Sequence, residues 1–241
     1  FEYPVMAFTG VFLGMCGRAA FPEAEAELAL PMLIRDVLPV GATGLVLALF
    51  MWGHVVLVGS ILTGERGFDW MATMLEDYFI AQPTVIAIFS LFLIHAVFAA
   101  RKIPAQLAER RKMIELGKGL NGLHQESILW IWQVRTGMIV LVLGSFHLVL
   151  ISIDIFTPLW GGHAGIESVT SLERVQAGLW LPYAILLICV EFHASIGLYR
   201  LAVKWGVFAR LGRSALHAIE RVILWLFLGL GFVILLVLAG V

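Results

Sequence analysis

The chain has 241 residues, of which 61% are hydrophobic and only 14% charged, with a formal net charge of −1. A soluble domain carries roughly 45–50% apolar and about 25% charged residues, so the charges here are too few to coat a globule, which excludes a soluble enzyme, a disordered protein and a nucleic-acid binder. Two cysteines, Cys16 and Cys189, supply neither a disulfide scaffold nor the four thiolates of an iron–sulfur cluster, and no CxxCH run attaches a c-type haem.

The stretch 1–40 reads as an N-terminal segment on the cytoplasmic side. Val5 to Cys16 is apolar but only about 12 residues long, too short to span, and lacks the basic run of a signal peptide. Glu23, Glu25 and Glu27 follow in an alanine-rich stretch expected to be helical. A bilayer core takes roughly 20 apolar residues per helix, and five stretches qualify: Gly41 to Leu62, Pro83 to Ala100, Ser127 to Ile153, Ala177 to Val203, and Leu216 to Leu238. They predict an all-α membrane bundle of five transmembrane helices over 41–241. The runs are too long for the alternating segments of a barrel.

Lysine and arginine set the orientation. The second connection holds Arg101, Lys102, Arg110, Arg111, Lys112 and Lys118, and the fourth holds Arg200, Lys204, Arg210 and Arg213; the other two hold Arg66 and Arg174. The two basic connections share a side, which is therefore cytoplasmic. The expected protein is multi-pass in the cytoplasmic membrane, with its N-terminus inside and its C-terminus in the periplasm.

Seven histidines are present, and His54, His95, His147 and His193 fall one on each of the first four spans. Ionisable groups inside lipid are costly and face the bundle interior. Taken singly, each reads as an interhelical hydrogen bond. Depth separates them into pairs. At 1.5 Å per residue, His54 and His147 lie roughly 12 and 9 Å from the outer ends of their helices. His95 lies roughly 9 Å from its inner end and His193 nearer mid-membrane, so these two pair more naturally together. Two pairs at two depths form the pattern of two bis-histidine haems of the b type, which need only a nitrogen from each face of the ring. Gly53, Gly59, Gly137, Gly144, Ala194 and Gly197 offer flat space near the ligands. Ordinary helix packing also uses small residues, and a metal site would gather its histidines at one depth.

The runs ATGLVLALFMWGHVVLVGSILTG around His54, IHAVFAARKIP around His95, LWIWQVRTGMIVLVLGSFH up to His147 and VEFHASIGLYRLAVKWG around His193 together resemble the di-haem cytochrome b membrane subunit of quinol:fumarate reductases and their succinate:quinone kin. The resemblance covers most of the chain, in order. It implies that His95 and His193 hold a proximal haem near the cytoplasm and that His54 and His147 hold a distal one. It implies propionate contacts for Trp130, Lys204 and, one position out of register, Arg174; His124 lies near the same inner surface as Trp130 and Lys204 and would assist there. A family serine in contact with haem is replaced here by Gly41. The resemblance suggests paired complexes.

Two carboxylates stand out. Glu76, in MLEDYFI, follows the first span, and its spacing from His54 is the one at which the family places the base that takes protons from quinol. By itself it reads as a solvated loop carboxylate. Glu191 lies inside the fourth span, two residues before His193, on a different helix face. It reads either as a neutral acid bonded to a neighbouring helix or as a proton relay, the role proposed in parts of the family.

There is no GxGxxG run for FAD, so dicarboxylate chemistry must reside in partner subunits. The resemblance implies a flavoprotein with FAD and an iron–sulfur protein on the cytoplasmic side, menaquinol as the electron donor, and this chain as the wire between them. The same features suit a succinate dehydrogenase run in the opposite direction, or a di-haem anchor of another respiratory oxidoreductase. A transporter lined by polar residues is the rival from a different class.

Overall fold

The computed structural model describes residues 38–101, 111–112, 115, 125–157, 165–206 and 208–241. The N-terminal segment 1–40 therefore lies outside the described residues except for its last three, and His124 lies outside them too.

Among the described residues the chain is all helical, with no strand. Five helices are long and apolar enough to cross a membrane, as the hydropathy predicts. The elements are α1 (Leu38–Gly59), α2 (Glu65–Asp77), α3 (Ala81–Ala100), α4 (Gln125–Phe156), α5 (Ser168–Arg174), α6 (Trp180–Trp205) and α7 (Gly212–Ala239). Pro39, Pro83 and Pro182 sit in the first turns of α1, α3 and α6, where a missing N–H breaks no helical bond. Gly206 and Gly240 close α6 and α7 in the left-handed conformation, the usual glycine stop.

The fourth span is longer than its hydropathy predicts. It opens with α5, passes through a π-helical turn at Val175–Leu179, and continues as α6. Gly178 takes φ 107 within that turn, a conformation open to glycine at little cost.

Four of the spans form a square. α1 packs against α3, α3 against α4, α4 against α6, and α6 against α1, while neither diagonal pair, α1 with α4 or α3 with α6, packs closely. α7 lies outside the square, chiefly against α6. The connection after the first span is not a loop but the amphipathic α2, with Phe68 and Ala72 buried and Trp70 exposed. Its apolar face joins Ile61, Val175, Ile234 and Leu238 in a core at that end of the bundle. Asp69 fastens α2 to α5: its carboxylate accepts from the Ser168 backbone N–H at 2.7 Å and from the Ser168 hydroxyl at 3.0 Å. The lipid-facing sides carry exposed Val56, Val142, Val222 and Trp225, as spans facing hydrocarbon require.

Candidate functional site: two opposed histidine pairs

The four span histidines meet across the diagonals of the square. His54 on α1 faces His147 on α4, with ring centroids 6.1 Å apart and planes at 68°. His95 on α3 faces His193 on α6 at 6.2 Å and 90°. An imidazole nitrogen binds a metal at about 2 Å, and the ring centre lies roughly 1 Å further back, so two imidazoles on opposite sides of one metal place their centres about 6 Å apart. Both pairs match that separation. Among the described residues no cluster of three or more histidine, cysteine, aspartate or glutamate side chains exists. A zinc site takes three or four protein ligands; an opposed pair suits a metal that brings its own equatorial ring.

The depth of the two pairs follows from three helices independently. On α1, Gly44 abuts the His95 ring, and His54 lies ten residues further on. On α4, Gly137 abuts the His193 ring, and His147 again lies ten residues further on. On α6, Tyr183 stands edge-on to the His147 ring at 5.3 Å, ten residues before His193. Ten residues of helix span about 15 Å. The pairs are thus stacked along the bundle: His54 and His147 towards the α2 end, His95 and His193 towards the end where α6 closes.

Glycine makes the seats. A Cβ on Gly137 would lie 2.7 Å from His193 Cε1 and 2.9 Å from its Nδ1, and one on Gly44 would lie 3.0 Å from His95 Cε1. Backbone and hydroxyl groups orient the rings. His193 Nδ1 lies 2.8 Å from the Gln133 carbonyl oxygen, which can only accept, so Nδ1 carries the proton and Nε2 keeps its lone pair. The Thr43 hydroxyl donates to the Pro39 carbonyl oxygen at 2.5 Å. Its oxygen is then left to accept from His95 Nδ1 at 3.0 Å, which again leaves Nε2 free. Fixing the tautomer through the second nitrogen is the usual support for a metal-binding histidine. Thr43 and Gln133 carry no signal in the sequence, because their partners lie 52 and 60 residues away.

The α2-end pair has a different environment. Arg174, singled out in the sequence as lying in a connection, is buried at the end of α5, and its Nη1 donates to Asp154 Oδ2 at 2.7 Å. Its Nη2 donates to Ser171 Oγ at 3.2 Å. Removing one partner of such a buried pair costs about 3–5 kcal/mol. Asp154 escaped the sequence reading altogether, although it stands two turns beyond His147. Arg174 Nε, Asp154 Oδ1 and His147 Nδ1 are buried without a partner among the described residues. Buried polar atoms left unmet are costly, and these stand, with the Tyr183 hydroxyl, around the α2-end pair with capacity to bind a further polar group. The donor set therefore fits haem.

Glu76 lies in the last turn of α2, half-buried rather than in an open loop. Its Oε1 accepts from the Ile166 backbone N–H at 2.6 Å. Glu191 is buried within α6. Trp130, near the start of α4, and Lys204, in the last turn of α6, stand at the same end of the bundle, since those helices run antiparallel. Gly41 leaves room for an indole: a Cβ there would lie 2.7 Å from Trp205 Cζ2.

Residues 108–238 match the family described as succinate dehydrogenase/fumarate reductase transmembrane subunit. Over 176 residues the chain is 38% identical to the fumarate reductase cytochrome b subunit of Wolinella succinogenes, a match covering 69% of this chain and 65% of that one. Over 198 residues it is 34% identical to the fumarate reductase cytochrome b subunit of Helicobacter pylori, covering 79% and 74%. The chain thus spans a little under two thirds of the Wolinella protein's length.

Proposed function

The chain belongs to the succinate dehydrogenase/fumarate reductase transmembrane subunit family, and from that premise we propose that it anchors a quinol:fumarate reductase in the cytoplasmic membrane and conducts its electrons. Two haems b are held by His54 with His147 and by His95 with His193. Bound there, they supply one-electron redox chemistry at two depths, so that electrons from menaquinol reach an iron–sulfur subunit and a flavoprotein subunit carrying FAD. The observation that carries this reading is the pair of opposed imidazole couples, each about 6 Å across and about 15 Å apart along the helices.

The remaining residues have distinct tasks in this proposal. The guanidinium of Arg174, with Nε open, receives a propionate at the α2 end. The Lys204 ammonium and the Trp130 indole N–H, helped by His124, do so at the opposite end. Glu76, a carboxylate at the membrane boundary, takes protons released as quinol is oxidised, and Glu191 passes protons through the bundle. The α2 end faces the periplasm, and the partner subunits dock on the cytoplasmic side beside the basic connections.

The test is haem stoichiometry in the purified complex. A pyridine haemochrome assay is expected to give two haems b per chain. Alanine at His54 or His147, or at His95 or His193, is expected to leave one. An intact wild-type complex without haem b would end the proposal. Turnover of succinate and of fumarate with defined quinones fixes the direction of catalysis.

A further inference from the structure

The pair at the α2 end has a buried ion pair beside it. Asp154 lies seven residues past His147 on α4, on nearly the same helix face and about 10 Å nearer the helix end. Arg174 is 6% exposed and Asp154 3%, so water screens neither charge. Arg174, in contact with Asp154, therefore stands at the His147 end of the bundle, and Tyr183, edge-on to the His147 ring, buries its hydroxyl beside the same pair. A cation at this place opposes any further positive charge between the two imidazoles. The Asp154 carboxylate, in direct contact with the guanidinium, cancels most of that field.

We propose that Asp154 is a positioning residue that sets the reduction potential at the α2-end histidine pair by neutralising Arg174. The inference rests on haem occupying the pair, as proposed above. Oxidised bis-histidine haem carries one more positive charge than the reduced form. Without the Asp154 charge the site is one unit more positive, which favours the reduced form and raises the potential; with the carboxylate in place the potential stays low. A low potential at the α2 end keeps electrons from stalling there on their way to the other pair.

The test is a potentiometric titration of the purified complex followed by haem absorbance, with Asp154→Asn beside wild type. Asparagine keeps an oxygen to accept from Arg174 and removes only the charge. The expected result is two haems per chain, with one midpoint raised and the other unmoved; the raised one belongs to the haem lost in His54→Ala. Asp154→Glu, which keeps the charge, is expected to hold the wild-type midpoint. Unchanged midpoints in Asp154→Asn overturn the proposal, and so does an equal upward shift in Asp154→Glu. Loss of the α2-end haem from both variants overturns it as well, because the pair is then structural. Loss from Asp154→Asn alone overturns it too, because the carboxylate is then needed to hold the haem rather than to set its potential. Absence of haem from the wild-type complex overturns this inference and the function together, whereas unchanged midpoints with haem in place overturn this inference alone.

Discussion

The His95 and His193 seats are defined by what is missing opposite them. Gly137 admits the His193 ring so closely that one added methyl group would sit within 2.9 Å of two ring atoms. Relief requires turning the imidazole away from the Gln133 carbonyl, which breaks the bond that fixes its tautomer. Gly137→Ala is therefore expected to cost about 1–3 kcal/mol and to lower occupancy at the His95–His193 pair. Gly44→Ala, with its nearest contact at 3.0 Å, should do the same more mildly. Gly229→Ala on α7, where a Cβ meets nothing within 4 Å, serves as control and should keep both haems. Haemochrome assays on the three variants check the order. At this scale the sequence was only partly legible. The four histidines announce themselves because an ionisable group in a hydrophobic run is conspicuous. Thr43, Gln133 and Asp154 do not, because a hydroxyl, a backbone carbonyl and a carboxylate near a span end acquire meaning only when folding brings a partner from a distant helix.

Among the elements, the one that changes the reading of the site most is α2. Hydropathy finds runs long enough to cross the bilayer and treats what lies between them as connection. A 13-residue amphipathic helix is invisible to it. The presence of α2 moves Glu76 from an open loop to a seat formed by the backbone that leads into α5. Gly165 is part of that seat: its φ of 146° suits glycine, and a Cβ there would lie 2.7 Å from Glu76 Oε1. Gly165→Ala is expected to dislodge the carboxylate from the Ile166 N–H. If Glu76 accepts quinol protons, the rate of haem reduction by quinol should fall about tenfold, which corresponds to roughly 1.4 kcal/mol, with haem content unchanged. Stopped-flow reduction of the variant complex measures this. A rate equal to wild type would separate Glu76 from the proton chemistry. The kink at Gly178 was equally hidden, since a glycine in an apolar stretch looks the same to a hydropathy average whether it bends the helix or not.

For the molecule as a whole, five long helices and one histidine on each of the first four were readable in advance because both depend on composition along one helix at a time. The square they form was not, since it depends on which helices choose one another. Glu191 poses its question at this scale. A buried carboxyl between the two ends of the bundle is expensive to keep, and a proton path is one reason to keep it. In Glu191→Gln, quinol-driven turnover is expected to fall at least about tenfold while both haems stay bound and still reduce. Unchanged turnover would assign Glu191 a structural role.

The square also has a mechanical side. Its edges are held by side chains packed against side chains, and across its diagonals imidazoles face each other, one couple along each diagonal and at a different height. A metal-centred strut across each couple would brace the frame in two crossing directions, as a pair of tie rods stiffens a scaffold tower. Before the struts are fitted, shear is resisted by the packed edges and by α7 outside them, so insertion of the first should make the frame markedly more receptive to the second.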